Sequence, residues 1–169
     1  MSSIVISGDT SGAITLAAPS VAGTNTATLP AATGTMMVSG NMPAFSAFSS
    51  STTSFTANTF TKVPLQTKNF DTNSNFDNVT NYRFTPTVSG YYQFNGYLSF
   101  SSSLQVMQLA FYKNGSSVGF PLQLGSASGG YINQIIYMNG STDYIELWGL
   151  TGSTQNCSGA FNGSLIRTS

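Results

Sequence analysis

Residues 81–100 read NYRFTPTVSGYYQFNGYLSF, and their large apolar side chains fall on even-numbered positions. A period of two is the repeat of a β-strand, in which successive side chains point to opposite faces of a sheet. We therefore predict that the even positions lie in a core, namely Phe84, Tyr92, Phe94, Leu98 and Phe100. The odd positions are predicted to face outward, namely Tyr91, Gln93, Asn95, Tyr97 and Ser99.

Composition supports an all-β chain and excludes some partners. Only 6% of the 169 residues are charged and the formal net charge is zero, so we expect no nucleic-acid partner. Ser, Thr, Asn and Gly are abundant, which favours strands and tight turns over long solvated helices. The start, MSSIVISGDTSGAITL, lacks a basic segment followed by an apolar run, and no window approaches the roughly 18 apolar residues of a membrane span. We expect neither an export signal nor membrane insertion.

Strand signals recur along the chain after Met42. Their spacing predicts roughly eight strands in an antiparallel sandwich or jelly roll. The stretches are AFSAFSSS, FTANTFTKVPL, RFTPTV, GYYQFNGYLSF, LQVMQLAFY, YINQIIYMN, DYIELWGL and GAFNGSLI. Asn114-Gly115 and Asn139-Gly140 each lie between apolar runs and predict type I′ hairpin turns. Asn95-Gly96 lies inside a strand pattern, which indicates a bulge or the close approach of another backbone.

The predicted outward face of residues 91–99 has an unusual composition. It carries Tyr91 and Tyr97 and no charged residue. Protein interfaces are enriched in tyrosine and depleted of charge, whereas solvent-facing strands usually carry charged side chains. We predict that this face contacts a neighbouring subunit.

The chain changes character near Met42. Residues 1–42 contain no aromatic, Lys or Arg residue, and every such residue lies in 43–169. The first part alternates small apolar and hydroxyl residues between glycines and prolines, which predicts short strands in SIVISGD, GAITLAAP and TATLPAATGTMMVS. Strands of this kind bury too little apolar surface to be stable alone. We expect them to pack on the rest of the chain, on identical segments or on a larger assembly. Disorder is the alternative.

The order of several motifs in residues 43–169 resembles the C1q/tumour-necrosis-factor-like jelly roll. These motifs are Asn75-Phe76-Asp77, Phe84-Thr85, Gly90-Tyr91-Tyr92-Gln93-Phe94 and Phe161-Asn162-Gly163-Ser164-Leu165. The chain departs from the family at Asn81-Tyr82-Arg83, where Gly-Lys is usual, and at Thr142, where Gly is usual. The resemblance implies a homotrimer, which would account for the outward tyrosines.

The stretch GAITLAAPSVAGTNTATLPAATGTMM in residues 1–42 resembles segments of bacteriophage tail-fibre and other virion proteins. Together the two resemblances imply a trimeric virion surface protein that is assembled in the host cytoplasm and exposed on the particle. Residues 1–42 would interleave between copies and attach to other virion proteins, and the knob, residues 43–169, would bind a host-surface glycan or another external ligand. A capsid decoration protein that stabilises or ornaments the head is the alternative. A polysaccharide-degrading tailspike is a third hypothesis, disfavoured because depolymerases usually need paired carboxylates.

Few residues are suited to catalysis. The sequence has no His, which excludes Ser-His-Asp and Cys-His sites, and no pair of its five carboxylates is marked by its context. We therefore expect no enzymatic activity, no catalytic residues and no cofactor. Asp71, Asn73, Asn75 and Asp77 are spaced like the start of a calcium loop, but Phe76 and Tyr82 occupy its diagnostic positions, so Asx turns are the preferred interpretation.

The remaining candidates are a cysteine and a group of aromatic residues. Cys157 is the only cysteine, so it cannot form a disulfide within the chain, and we expect a small buried or half-buried side chain. Tyr131, Tyr137, Tyr144 and Trp148 lie in the last predicted strands, where exposed rings beside Asn and Ser could bind sugars. The alternative is that each packs in the core or between subunits.

Overall fold

A computed structural model of the chain describes residues 3–21, 23–26, 28, 31, 33–34, 36–104, 106–125 and 127–169. The backbone forms two compact units, Met1–Gly34 and Thr35–Ser169. The functional division into residues 1–42 and 43–169 stays a prediction. In the part of the chain that the structure describes, no helix is both long enough and apolar enough to cross a membrane.

The first unit contains an antiparallel hairpin. It consists of β1 (Ser3–Ser7) and β2 (Ala13–Ala17). The register pairs Ile4 with Leu16 and Ile6 with Ile14, so these four side chains share one face, and all four are exposed. The third predicted strand, in residues 26–39, is absent from the described part of that segment. Ala27, Leu29, Pro30, Ala32 and Thr35 lie outside the described residues.

The second unit begins with a short 3₁₀ helix (Ser39–Asn41) and continues as two six-stranded antiparallel sheets. Sheet I has the order β12-β9-β14-β3-β6, and β4 also pairs with β14. Its strands are β3 (Ala44–Phe48), β4 (Thr53–Phe55), β6 (Thr67–Asp71), β9 (Gly90–Leu104), β12 (Ala127–Met138) and β14 (Gln155–Thr168).

Sheet II has the order β11-β10-β13-β8-β7, and β5 also pairs with β13. Its strands are β5 (Thr61–Lys62), β7 (Phe76–Asp77), β8 (Arg83–Phe84), β10 (Met107–Lys113), β11 (Ser116–Leu124) and β13 (Ile145–Thr151). The predicted all-β antiparallel sandwich is confirmed. Strands β6, β7 and β11 were not among the predicted stretches, and of β4 only Phe55 was.

Aromatic rings fill the core between the two sheets. Phe45 of sheet I stacks on Phe84 of sheet II with ring centroids 4.3 Å apart, and Phe161 meets Phe45 edge-on at 4.9 Å. The even-numbered stripe of residues 84–100 is buried as predicted. Tyr92 is completely buried, and its hydroxyl donates a hydrogen bond to the Val88 carbonyl at 2.7 Å. Burial raises the pKa of this phenol, so it stays neutral.

Cys157 is also buried in the core, as predicted. Burial raises the pKa of its thiol to about 12. The thiolate is the reactive form of cysteine, so this side chain acts as a small apolar group.

The three Asn-Gly pairs have three different outcomes. Asn114 and Gly115 join β10 to β11 with φ of 52° and 82°, as predicted for a type I′ turn. The hairpin predicted at Asn139-Gly140 is wrong, because β12 and β13 belong to different sheets and this segment crosses between them. Within β9, Gly96 pairs with both neighbouring strands without a register shift, so the predicted bulge is wrong. The close approach there comes from a side chain, since a Cβ on Gly96 would lie 2.5 Å from Leu147 Cδ1.

Candidate subunit interface and aromatic cluster

The outer face of sheet I carries the tyrosines that the sequence predicted to point outward. Tyr91 of β9 lies opposite Tyr137 of β12, and Tyr97 lies opposite Tyr131. The ring centroids are 5.5 Å apart in the first pair and 4.6 Å in the second. Ile135 lies between the pairs along β12 and is 62% exposed. We call Tyr91, Tyr97, Tyr131, Ile135 and Tyr137 the tyrosine face.

A row of amides crosses the middle of the same sheet. The register aligns Asn133 of β12 with Asn95 of β9, and Asn95 with Asn162 of β14. Asn95 Nδ2 donates a hydrogen bond to Asn162 Oδ1 at 3.0 Å. The sequences of β9 and β12 contain no charged residue. The surface therefore combines exposed apolar rings with neutral hydrogen-bonding groups, the composition typical of interfaces.

The calcium-like stretch forms a loop whose carboxylates accept hydrogen bonds from the backbone. Asp71 accepts from the amides of Asn75 and Phe76 at 2.9 and 3.0 Å. Asp77 accepts from the backbone of Val79, Thr80 and Asn81 and from the Asn81 side chain. The hydrogen bond from the Thr80 amide contributes most to lowering the pKa of Asp77 to about 2. These contacts fit the Asx-turn interpretation. In the described part of the chain, no three His, Cys, Asp or Glu side chains form a metal-binding group.

Three carboxylates each pair with a lysine. Lys62 contacts Glu146 at 3.1 Å, Lys68 contacts Asp71 at 3.1 Å, and Lys113 contacts Asp143 at 2.7 Å. Burial opposes ionisation of Asp143, but the Lys113 ammonium and hydrogen bonds from Asn114 and from the Asn139 backbone lower its pKa overall. Asp143 thereby ties the Asn114 turn to the segment that crosses between the sheets.

The structure separates the four aromatic residues proposed as a sugar platform. Tyr131 and Tyr137 lie on β12 and belong to the tyrosine face of sheet I. Trp148 lies on β13 of sheet II, and Tyr144 directly precedes that strand. The two sheets are packed back to back on the core, so the two pairs face opposite sides of the sandwich.

Trp148 and Tyr144 join a second group of side chains on the outer face of sheet II. Tyr112 of β10 stacks on Trp148 with centroids 4.5 Å apart, and Phe60 lies 5.9 Å from Tyr112. Arg83 of β8 lies over the Tyr144 ring, with Cζ 4.2 Å from its centroid. We call Phe60, Tyr112, Trp148, Arg83 and Tyr144 the aromatic cluster.

Glu146 lies beneath the aromatic cluster and is nearly fully buried. Its Oε1 accepts a hydrogen bond from Lys62 Nζ at 3.1 Å, and its Oε2 accepts one from Trp148 Nε1 at 2.9 Å. Sequence reasoning did not group these residues because strand pairing brings them together from distant positions. Lys62 and Glu146, for example, are 84 positions apart.

Comparison with known proteins identifies the fold. No protein-family model and no curated protein matches the sequence. The globular domain of zebrafish complement 1qA is 22% identical, with a TM-score of 0.58, and the match covers 75% of this chain and 99% of that one. PRD1 vertex protein P5 is 18% identical, with a TM-score of 0.61 and coverage of 74% and 97%. Murine APRIL is 10% identical, with a TM-score of 0.56 and coverage of 73% and 99%. The chain therefore has the C1q/TNF-like jelly-roll fold that its motifs predict.

Proposed function

We propose that the chain is a bacteriophage virion surface protein that forms a homotrimer and binds external ligands through the knob without catalysis. The observation that carries this proposal is the tyrosine face. Tyr131 is 73% exposed and Ile135 is 62% exposed, on strands with no charge to keep them solvated. Large apolar patches on a soluble protein are typical of interaction sites.

We assign the tyrosine face to contacts between identical copies. Burial of the exposed tyrosine rings would stabilise association between copies. The row of Asn133, Asn95 and Asn162 offers hydrogen-bond donors and acceptors to a neighbouring copy. No like charges on β9 or β12 would repel each other when copies meet. Trimerisation would also present three knobs together, and linked sites can bind roughly 10²–10⁴ times more tightly than one.

Two observations support a place on a virion. The fold is similar to that of PRD1 vertex protein P5. The hairpin β1–β2 exposes one face made of Ile4, Ile6, Ile14 and Leu16, and a two-stranded ribbon is marginal alone in water. Docking of this face on other virion proteins would bury it. In this proposal residues 1–42 attach the protein, and the knob points outward as a short fibre.

The alternative is a capsid decoration protein. A vertex is a feature of a closed shell, so the similarity to a vertex protein gives a specific reason to retain this candidate. The two roles share the trimer and differ in position on the particle and in dependence on a host ligand.

Light scattering on the purified protein tests the assembly. The expected mass is about 53 kDa, three times the 17.8 kDa of one chain. A stable monomer would contradict the proposal. Immunogold labelling of particles with antibody against residues 43–169 then separates the two roles. Label at the tail indicates an adhesin, label over the head indicates decoration, and particles without label contradict both.

A further inference from the structure

The outer face of sheet II carries a second binding surface, on the opposite side of the sandwich from the tyrosine face. Contacts between copies through sheet I would leave this surface accessible, because the two sheets turn their outer faces in opposite directions. If the knob binds external ligands as proposed, this surface is its ligand site.

The aromatic cluster supplies a surface suited to a sugar ring. Trp148, Tyr112 and Phe60 are half-buried, so part of each ring faces outward. Aromatic rings provide broad apolar contact with a polar edge, which suits the apolar face of a sugar and its hydroxyls. The stack of Tyr112 on Trp148 at an interplanar angle of 23° holds the two rings as one ledge.

Glu146 fixes the orientation of this ledge. Its Oε2 accepts the indole N–H of Trp148, and its Oε1 is paired with Lys62. Both carboxylate oxygens therefore have partners, and the Glu146 charge is balanced by the Lys62 ammonium. Glu146 is a positioning residue: it holds Trp148 before any ligand arrives, which lowers the entropic cost of binding.

Arg83 supplies a cation that forms no ion pair with the described carboxylates. Its strand partner on β13 is Glu146, whose oxygens bond Lys62 and Trp148, and its partner on β7 is Asp77, whose oxygens bond the following loop. Among the described residues, no carboxylate lies within ion-pair distance of Arg83. Its guanidinium lies on the Tyr144 ring, which fixes it at the edge of the cluster. A planar guanidinium matches a carboxylate with two parallel hydrogen bonds.

The register places the backbone of Arg83 near the ledge, and its guanidinium extends over Tyr144. Arg83 is the cross-strand neighbour of Glu146, and Trp148 lies two residues further along β13. These offsets correspond to about 5 Å across the sheet and about 7 Å along it. We propose that the aromatic cluster binds acidic saccharides, with one sugar ring packed against Trp148 and Tyr112 and a carboxylate of the same saccharide paired with Arg83.

Trp148 makes the test direct, because it is the only tryptophan in the chain. Its fluorescence can be followed in the full-length protein during titration with trigalacturonate, and with galactotriose as the neutral analogue. We expect a saturable change with trigalacturonate and a much weaker one with galactotriose. In Arg83→Gln we expect the affinity for trigalacturonate to fall about tenfold or more, because charge-assisted hydrogen bonds are lost.

Matched variants keep the result interpretable. Arg167→Gln removes the same charge from β14 of sheet I, opposite Tyr91 and outside the aromatic cluster, and its affinity per chain is expected to match that of the unmodified chain. Arg83→Lys keeps the positive charge but cannot make two parallel hydrogen bonds to a carboxylate, and we expect it to lose most of the affinity for trigalacturonate. Thermal unfolding of each variant shows that the fold is retained. If Arg83→Gln does not fold, Arg83→Lys decides the outcome.

Three results would overturn the proposal: no saturable change with trigalacturonate, equal affinity for both sugars, or unchanged affinity in both Arg83 variants. None of these results bears on the trimer or on the virion. If the protein is a trimer and is labelled on the particle, but Trp148 fluorescence does not change with trigalacturonate, only the acidic-saccharide site is contradicted. A monomer that does not label particles would contradict the proposed function, even if trigalacturonate binds.

Discussion

Replacing Ile135 with arginine tests the tyrosine face directly. Ile135 lies on β12 opposite Gln93 and is 62% exposed in the isolated chain. Full burial of an isoleucine side chain contributes about 1.5–3 kcal/mol, so burial of the exposed part would contribute about 1–2 kcal/mol per copy. Substitution by arginine removes that contribution. It also buries a cation beside β9 and β12, which carry no acid to pair with it, and burying an unpaired charge costs several kcal/mol.

The combined loss for three copies exceeds about 4 kcal/mol, which corresponds to roughly a thousandfold weaker association. Analytical ultracentrifugation at micromolar concentration should then show a species of 17.8 kDa in place of one near 53 kDa. Far-ultraviolet circular dichroism should stay unchanged, because the Ile135 side chain points away from the core.

Val79→Arg is the matched control, because Val79 is 75% exposed and lies in the loop between β7 and β8, away from the tyrosine face. It should leave the mass unchanged. If Ile135→Arg sediments like the unmodified chain while that chain is a trimer, the tyrosine face does not hold the copies together. The assembly would then have to use another surface.

Three further predictions concern the stability of the knob. Gly96→Val should lower the free energy of unfolding in urea by about 1–3 kcal/mol, because the valine Cβ would crowd the buried Leu147. Unchanged stability would mean that the core around Leu147 is packed less tightly than its contacts indicate. Asn114→Ala should cost about 2–3 kcal/mol in the same assay, since alanine disfavours φ of 52° and loses the hydrogen bond to Asp143, whereas Asn114→Gly should cost less. The pKa of Asp77 is lowered from 3.8 to about 2, so its ionised form stabilises the fold above pH 3.8, and this contribution is lost as the pH falls through about 2. After allowance for solvent screening it amounts to about 1–2 kcal/mol, and Asp77→Asn should flatten the dependence of stability on pH in that range; an unchanged pH profile would contradict this.

Local patterns predicted those parts of the fold that depend on neighbours in sequence. The period of two in residues 91–100 gave the correct inner and outer faces of β9, because alternation follows from strand geometry alone. The turn at Asn114-Gly115 was also predictable, since those two residues tolerate positive φ. The same dipeptide at Asn139-Gly140 led to the wrong prediction of a hairpin, because the local sequence does not distinguish a hairpin turn from a segment that crosses between sheets.

Other parts of the molecule depend on strand order, which the sequence does not display. Strand β7 has only two residues, Phe76 and Asp77, too few to show a period. The aromatic cluster joins residues from β8, β10 and β13, and their adjacency follows from the order of sheet II. Trp148 was recognised as a candidate, but Arg83 and Tyr112 could be grouped with it only once the strand register was known.

The neutral row of Asn133, Asn95 and Asn162 has a consequence for the environments in which an assembly of these chains could persist. Amides do not titrate, and β9 and β12 contain no Asp, Glu, Lys, Arg or His, so hydrogen bonds made by this row would keep their strength when the pH changes. Salt has little to screen along the row itself, whereas the cations Arg167, opposite Tyr91, and Lys113, beside Tyr137, lie at one end of the tyrosine face. Contacts made through this row would therefore depend little on salt or on acidity.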